Sequence, residues 1–342
     1  MPADTPWQID AHAYPHDGTP AAVLRFLAGY AILAPSSHNT QPWRFRLVGN
    51  SLELWADRTR RLPVVDPDDR ALVISCGAAL GALHTALRAY GHAGEIARFP
   101  EPEQPDLLAR IGLGGDHTPS RNELARFRAI PKRRTTRMRF ADSALPDGLP
   151  AELIGLAADG GTELACLTAP ETREWVSELV AEGDRTQFAD PAFRRELAHW
   201  VRSRRAGAHD GMSGANFGMP DMLSGVGGLV IRTFDLGGGV AAKDRDIAAH
   251  SPALLVFATP GDTPAHWLAA GEAHMAVFLA ITAAGLTAAY LNQPVEVPDL
   301  RPRLLSAAGL SGVPQLLMRA GEAEAVRPAV RRPLGEVLAM VE

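Results

Sequence analysis

Two alanine-rich segments of this chain share one pattern and one length, and this repeat constrains the fold more than any other feature. Residues 77–91 read GAALGALHTALRAYG, and residues 271–285 read GEAHMAVFLAITAAG. Each begins and ends with glycine, and the small and aliphatic residues between are typical of a helix buried on most of its circumference. The closing glycine fits a helix C-cap, because a residue without Cβ adopts the left-handed conformation easily.

A second pair of matching segments follows the helices in the same order. Residues 105–112 read PDLLARIG, and residues 314–321 read PQLLMRAG. A short apolar run between proline and glycine predicts a buried strand. Since alanine-rich helices are common, the helices alone would prove little, but a second match in the same order indicates an internal duplication.

The remaining pattern mixes helices with strands. Residues 43–57, WRFRLVGNSLELWAD, predict a hairpin whose turn at Gly49 and Asn50 supplies positive φ. Further helices are predicted over 21–34, 150–158, 171–183 and 191–205, and a further strand over 251–260. This mixture predicts the α+β class.

At 342 residues the chain exceeds the size at which one core stops growing, so two halves are expected. We place the N-terminal half at 1–120 and the C-terminal half at 121–342. A polar linker is predicted around 114–121, and the second half opens at 129–137.

Residues 206–246 form a glycine-rich insertion with scattered apolar side chains. These side chains are Met212, Phe217, Met219, Met222 and Phe234. Glycine lowers local order, whereas methionine and phenylalanine favour apolar contacts, so a lid over a binding site fits both features. An ordinary long surface insertion is the alternative.

Charge and cysteine content exclude several classes of protein. The 34 basic and 39 acidic residues give a net charge of −5, which argues against a nucleic-acid surface. Cys76 and Cys166, both in apolar surroundings, are too few for a disulfide framework or a four-ligand zinc site. We expect reduced thiols that pack as small hydrophobic groups.

Other common signals are missing from the sequence. The first residues have neither a basic start nor an apolar run, and no segment approaches the ~20 apolar residues of a membrane span, so we expect a cytoplasmic protein without a membrane partner. His84, His266 and His274 have no clustered carboxylate, so no metal site is predicted. The glycine runs follow no strand–turn–helix pattern, which argues against a dinucleotide-binding fingerprint.

Residues 35–43, PSSHNTQPW, place polar groups between an apolar helix and an apolar strand. Backbone amides, Asn39 and Gln41 could bind a planar heterocycle with alternating donors and acceptors. The alternative is a turn that ends the preceding helix, because Pro, Ser and Asn are turn formers.

Residues 132–140, KRRTTRMRF, concentrate positive charge beside two threonines. The flanking apolar residues favour a packed helix start, on which Arg133 and Arg137 would share a face. Guanidinium groups with a hydroxyl suit a terminal phosphate, and Arg331 and Arg332 could join them. A solvated basic face is the alternative.

These segments resemble those of a known family. LAPSSHNTQPWRF is similar to the flavin loop of nitroreductase-family proteins, KRRTTRMRF resembles their phosphate-binding motif, and RRPLGEVL resembles their C-terminal segment. In that family two subunits share each flavin site. Here the first half carries the loop and the second the arginine motif, which implies one flavin mononucleotide (FMN) held within an intrachain pseudo-dimer. The tandem form with a lid is most similar to the Acg-like branch.

The resemblance also implies roles for individual residues. Arg133, Thr135 and Arg331 would hold the FMN phosphate, and Arg137 would approach the N1/C2 edge of the flavin. Asn292 and Gln293 fall near flavin N5, where many relatives carry an acidic residue and glycine. The full set of predicted cofactor-binding residues is Pro35, Ser36, Ser37, Asn39, Gln41, Arg133, Thr135, Arg137, Asn292, Gln293, Arg331 and Arg332.

The implied activity is that of an FMN oxidoreductase. NADPH or NADH would give hydride to flavin N5, and an acceptor such as a nitroaromatic or quinone would then be reduced without a separate catalytic side chain. A flavin-sequestering protein whose lid keeps nicotinamide out is the alternative, and a dedicated dehydrogenase with a substrate lid is a third. The chain could be a monomer or a homodimer.

Overall fold

The computed structural model describes residues 6–202, 207–213 and 237–341. The first half contains helices α1 and α2 and a four-stranded antiparallel arrangement in the order β1-β2-β4-β3. Their bounds are α1 Pro20–Ala31, β1 Trp43–Val48, β2 Ser51–Ala56, α2 Arg70–Ala89, β3 Glu95–Arg98 and β4 Leu107–Gly112.

The second half repeats this topology and adds helices. Its antiparallel sheet has the order β5-β8-β10-β9, in which each strand takes the place of its counterpart in the first half. The bounds are α3 Arg121–Ala129, α4 Leu149–Asp159, β5 Glu163–Leu167, α5 Pro170–Ala189, α6 Pro191–Trp200, β6 Val201–Arg202, β7 Met212–Ser213, α7 Gly237–Ala249, β8 Ala253–Thr259, α8 Pro264–Ala283, β9 Thr287–Tyr290, α9 Gln293–Glu296, α10 Arg301–Ala308, β10 Val313–Gly321, α11 Leu334–Val337 and β11 Leu338–Val341. The predicted α+β class with two tandem halves is confirmed.

The two repeated helices cross at their repeated glycines. A Cβ on Gly77 would collide with the Leu268 carbonyl and lie 2.9 Å from the Gly271 Cα, and a Cβ on Gly271 would lie 2.7 Å from the Gly77 Cα. The backbones of α2 and α8 are therefore in direct contact. Equivalent residues meet in this way only near a two-fold axis, so the halves face each other like the subunits of a symmetric dimer.

The position of these glycines corrects the predicted helix starts. Both helices begin seven residues earlier, at Arg70 and Pro264, so Gly77 and Gly271 lie inside them. The closing glycines are confirmed as C-terminal residues, with φ +90° at Gly91 and +81° at Gly285. A glycine inside a helix, which costs helix propensity, marks the close crossing rather than the start.

The last strand of the chain belongs to the first half's sheet. Strand β11 pairs in parallel with β1, with Leu338 opposite Phe45, so it extends that sheet to β11-β1-β2-β4-β3. The C-terminal tail that leads to it runs beside the 35–43 loop, where Arg332 N donates to Gln41 Oε1 at 2.8 Å. The first half therefore needs the C-terminal segment to complete its sheet. The boundary between the halves at 120/121 stays a prediction.

Several local predictions need correction. Gly49 has φ +55°, but Asn50 is not among the described residues with positive φ. Helix α3, which begins with a capping box between Ser120 and Glu123, was not predicted. Helix α6 ends at Trp200, because the chain there turns into the short β6–β7 pair.

The 132–140 segment is not a helix start. A 3-10 turn over Ile130–Lys132 is followed by extended backbone, with ψ 130° at Arg133. Thr135 bridges Ala288 of β9, and Thr287 Oγ1 donates to the Arg134 carbonyl at 3.0 Å. The sheet edge therefore binds this segment and overrides its local preference. Because the segment is extended, Arg133 and Arg137 do not share a helix face.

Most of the predicted lid lies outside the described residues. Of the range 206–246, the structure describes 207–213 and 237–246, and the latter belongs to α7. Phe217, Met219, Met222 and Phe234 are not among the described residues. Met212 is described, and it is buried.

One described helix, α2, is long and apolar enough to cross a membrane, but 83% of that stretch is buried inside the fold. It is the core helix of the first half, where it packs with α1 and with Met275 and Leu279 of α8. Both cysteines are free thiols, as predicted: Cys76 is fully buried on α2, and Cys166 is partly buried on β5.

The helix crossing gives a direct test. We expect Gly77→Ala to lower the free energy of unfolding by about 1–3 kcal/mol or more, because the new methyl group meets backbone atoms that cannot turn away. Gly155→Ala in α4 is the matched control, since a Cβ there meets nothing within 4 Å. The control should be neutral or stabilise the helix by up to about 1 kcal/mol. Urea unfolding of both variants measures the difference, and equal effects would contradict the proposed contact.

Candidate functional site

A cavity of about 540 Å³ lies between the two halves. This volume is within the range of small-molecule sites, roughly 300–1,000 Å³. Its walls come from the 35–43 loop and α2 of the first half, from α5, α6, α7, α8, α9 and the end of β9 of the second, from residues 208–213, and from the C-terminal tail. Ten of the twelve predicted residues line it: Pro35, Ser36, Ser37, Asn39, Arg133, Thr135, Arg137, Asn292, Gln293 and Arg331.

The other two predicted residues, Gln41 and Arg332, lie behind the cavity wall. Gln41 is fully buried; its carbonyl accepts from Arg332 Nη1 at 3.2 Å, and its Nε2 donates to the His209 carbonyl at 2.8 Å. These two side chains therefore fix the loop to the C-terminal tail instead of facing the cavity.

The loop itself has an unusual backbone. His38, Asn39 and Gln41 have φ of +49°, +55° and +52°, and they are three of the five described non-glycine residues with positive φ. This conformation is costly for such residues and often occurs at binding sites. The backbone N–H of Gln41 donates to Ser36 Oγ at 2.9 Å, which helps to hold the loop. The loop does follow α1, as the alternative prediction required, but a simple helix-ending turn would not need this strain.

Asn39 joins three segments of the chain at the cavity. Its Nδ2 donates to the carbonyls of Gly211 at 3.0 Å and Val330 at 3.1 Å, and its Oδ1 accepts from Arg331 Nη1 at 2.9 Å. The Asn39 side chain thus makes three hydrogen bonds to other parts of the protein. Asn39 shapes the cavity by holding residues 207–213 and the tail against the loop.

Three arginines surround Trp7 at one end of the cavity. The guanidinium carbons of Arg134, Arg331 and Arg133 lie 4.7, 4.9 and 6.0 Å from the centre of its ring. Arg133 Nη2 and Arg331 Nη2 both donate to the Leu33 carbonyl, at 3.0 and 3.3 Å. We call Arg133, Arg134 and Arg331 the arginine cluster.

The arginine cluster has no acidic partner within the described ranges. Arg133 and Arg331 are 2% and 4% exposed, and the Nε atom of each is buried without a hydrogen-bond partner. Burial lowers the pKa of Arg133 to about 10 and that of Arg331 well below its ordinary value, and neighbouring guanidinium groups add to both effects. Buried cations of this kind favour an anion with several acceptor oxygens, such as a phosphate.

Two residues at this end of the cavity, Arg134 and Trp7, were not predicted as site residues. Arg134 belongs to the same basic run as Arg133, and the run itself was the available signal. Trp7 offered no signal, because an isolated aromatic residue near the N-terminus has no pattern that places it. Its Nε1 donates to the Ala329 carbonyl at 2.8 Å, which fixes it beside the tail.

Asn292 and Gln293 reach the cavity, but their side chains are already engaged. Asn292 Oδ1 accepts from the backbone N–H of Leu317 at 3.0 Å, and Gln293 Nε2 donates to Asp184 and Asp244 at 3.0 Å each. These two acidic residues were not predicted. Their positions on α5 and α7 depend on helix packing that the sequence does not reveal.

Two histidines also line the cavity. His38 lies in the strained loop, where burial and then Arg137 lower its pKa to about 4. His274 of α8 meets Tyr290 Oη at 3.1 Å, and burial followed by Arg133 lowers its pKa to about 4. Both rings are therefore neutral at pH 7, so they add no charge to the cavity.

One part of the wall is apolar. Phe188, Phe193, Leu197 and Met212 are all buried, and they line the cavity on the side of α5 and α6. Arg137, in contrast, is exposed and lies at the rim. A flat apolar ligand with one anionic end would meet matching surfaces at both ends of this cavity.

Comparison with known proteins identifies relatives of nearly full length. No family model matches the chain. The chain is 33% identical over 323 residues to a Mycobacterium tuberculosis protein named "Putative NAD(P)H nitroreductase Rv3131", covering 93% of this chain and 91% of that one. It is 29% identical to the same organism's "Putative NAD(P)H nitroreductase acg", covering 92% and 95%.

Solved structures give more distant matches. A BluB-like flavoprotein from Clostridium difficile has a TM-score of 0.41 and 11% identity, covering 63% of this chain and 98% of that one. The FMN and NADPH-dependent nitroreductase NfnB from sphigopyxis sp. strain HMH has a TM-score of 0.40 and 16% identity, covering 63% and 97%.

The free energy of unfolding tests whether Asn39 holds the loop, residues 207–213 and the C-terminal tail together. We expect Asn39→Ala to lower the free energy of unfolding by about 1–3 kcal/mol, because two carbonyls and a buried guanidinium lose a partner. Ser37→Ala is the control: the same loop changes, but Ser37 bonds through its backbone, whose N–H donates to Ser75 Oγ at 3.4 Å and whose carbonyl accepts from Thr40 N at 2.9 Å. The control should stay within about 0.5 kcal/mol of the wild type. Thermal unfolding of the three proteins provides the measurement.

Proposed function

The chain belongs to the nitroreductase family, and we propose that it is an FMN-dependent oxidoreductase that uses NADPH or NADH to reduce a small acceptor. A nitroaromatic compound or a quinone is the acceptor class. When bound, FMN supplies the redox chemistry by passing hydride from the nicotinamide to the acceptor through N5, and the protein supplies orientation and charge.

The observation that carries this proposal is the arginine cluster. Buried guanidinium groups with unpartnered Nε atoms and no acidic partner in the described chain need an anion, and the FMN phosphate is of the right chemistry. Arg133 and Arg331 would hold it, with Thr135 Oγ1, which now accepts from Arg133 Nη1 at 3.3 Å, and the unpredicted Arg134 beside them.

The remainder of the cavity supports a bound ring. Pro35, Ser36, Ser37 and Asn39 line the cavity from the first half, and the buried side chains of Phe188, Phe193 and Leu197 offer an apolar surface to the ring. A positive charge at Arg137 would stabilise a reduced, anionic ring from the rim. Asn292 Oδ1 and Gln293 Nε2 are engaged within the protein, so a contact near N5 would come from the backbone of these residues or from Gln293 Oε1, which has no hydrogen-bond partner among the described residues.

The arrangement also supports one FMN per chain. The loop comes from the first half and the arginine cluster mainly from the second, so one chain contains both parts of one site. At the equivalent place after α4 the chain reads Gly160, Gly161 and Thr162, without the serine and asparagine groups of the 35–43 loop. A monomer would suffice for such a site. The oligomeric state and the cytoplasmic location stay predictions.

A flavin-sequestering protein is the second candidate. Residues 207–213 close against the loop, where Gly211 N donates to the Asn39 carbonyl at 3.2 Å and Met212 enters the cavity wall. A segment held there could keep nicotinamide away from the ring.

Anaerobic mixing separates the two candidates. The purified, flavin-loaded protein should lose its yellow colour when NADPH or NADH is added, because hydride reaches the ring. Stopped-flow absorbance follows the change. A protein that stays yellow with both nucleotides, yet bleaches with dithionite, would be the sequestering protein instead.

The phosphate assignment has its own test. We expect Arg133→Ala and Arg331→Ala each to raise the FMN dissociation constant by about 10-fold to 150-fold, which corresponds to the roughly 1.5–3 kcal/mol of a hydrogen bond to a charged group. Arg303→Ala removes an exposed arginine that pairs with Glu182 at 2.8 Å and serves as the control. Fluorescence quenching of added FMN gives the constants. Unchanged affinity in both site variants would place the phosphate elsewhere.

A further inference from the structure

Three helices bring acidic groups together on a wall of the cavity. Asp184 lies on α5, Asp244 on α7, and Gln293 and Glu296 on α9, and all four line the cavity. No ion pair in the described part of the chain joins these carboxylates to the arginine cluster. Asp184 and Asp244 are joined by Gln293, and we call these two aspartates the acidic pair.

The acidic pair is built tightly. Gln293 Nε2 donates to Asp184 Oδ1 and to Asp244 Oδ2, at 3.0 Å each, and the two aspartates are 2% and 7% exposed. Gly183 makes this possible, because a Cβ there would lie 2.7 Å from the Gln293 Cβ. The close approach of α5 to α9 thus fixes Asp184 at the bridge.

The charges around the pair favour one retained proton. Two buried carboxylates on one amide repel each other when both are ionised, and a shared proton relieves that repulsion. Asp184 Oδ2 is buried without a hydrogen-bond partner among the described residues, as is Gln293 Oε1. Burial, followed by the charge of Asp244, raises the pKa of Asp184 to about 7.

The other charged groups near Asp184 act in both directions. Glu296 of α9 adds negative charge and favours the proton, whereas Arg137 at the rim opposes it. Glu296 is itself held by Gln187 Nε2 at 2.8 Å, and burial raises its pKa. Arg319 faces Asp244 from β10. Among the described residues, no group of three or more His, Cys, Asp or Glu side chains is arranged to hold a metal ion.

We propose that Asp184 is the proton donor of the oxidative half-reaction, an inference that rests on the proposed function. Reduction of a quinone by a hydride equivalent leaves one oxygen in need of a proton. The Asp184 O–H bond breaks, the new O–H bond forms on the acceptor, and the resulting carboxylate takes a proton back from water. Asp244 and Gln293 are positioning residues that keep the proton on Asp184.

The two half-reactions test this inference separately from the proposed function. Hydride transfer from NADPH to the flavin requires no proton from Asp184, so Asp184→Asn should bind FMN and bleach at the wild-type rate. Re-oxidation by p-benzoquinone should slow by about 100-fold or more, which is the usual contribution of a general acid. Glu182→Gln, an exposed change on the same helix, is the matched control and should alter neither half-reaction.

The pH dependence gives an independent readout. Wild-type re-oxidation should slow as the pH rises through about 7, because Asp184 loses its proton there, and this step should vanish in Asp184→Asn. Asp244→Asn removes the like charge, so the step should move to lower pH. Infrared spectra should show a protonated carboxyl band near neutral pH that Asp184→Asn lacks.

The possible outcomes are distinct. If NADPH fails to bleach the wild type, the proposed function fails, but re-oxidation of the dithionite-reduced protein still tests Asp184. Wild-type re-oxidation rates and pH profile in Asp184→Asn would overturn the inference and leave the pair a structural fastener. If that variant does not fold, the Asp244→Asn shift decides, and an unmoved profile would overturn the inference equally.

Discussion

Direct backbone contact between α2 and α8 determines how the two halves of the structure are placed. Gly77 and Gly271 let the two helices approach until a methyl group on either would strike the other's backbone. This crossing sets the distance between the halves. It therefore decides that the strained loop of the first half and the basic segment of the second face one cavity, although almost 100 residues separate them in sequence.

Several features of the cavity are unfavourable for the free energy of folding. Buried guanidinium groups without acidic partners cost on the order of several kcal/mol each, and residues with positive φ cost about 1–3 kcal/mol each. The helix crossing and the two sheets offset these costs elsewhere. A ligand with an anionic end would recover part of them, because it would pair with Arg133 and Arg331 while the loop stays as it is.

The sequence predicted most of the helices and strands, but few of the contacts between segments that lie far apart in the chain. The repeats at 77–91 and 105–112 carried enough periodic signal to predict both halves, and turn chemistry marked the 35–43 loop. The extended shape of 133–140 could not be predicted, because a bridge to β9 decides it. Asp184 and Asp244 were missed for a similar reason: they lie sixty residues apart on different helices, and only packing around Gln293 joins them.

The parallel pairing of β11 with β1 has a consequence for synthesis of the chain. The first half's sheet includes residues 338–341, and its loop is fastened by Arg331 and Arg332. A ribosome makes these residues long after β1, so the sheet of the first half has an open edge, and its loop lacks these bonds, until residues 331–341 have been made. Covalent fusion keeps the missing strand at a high local concentration, which an exchange between separate subunits would not provide.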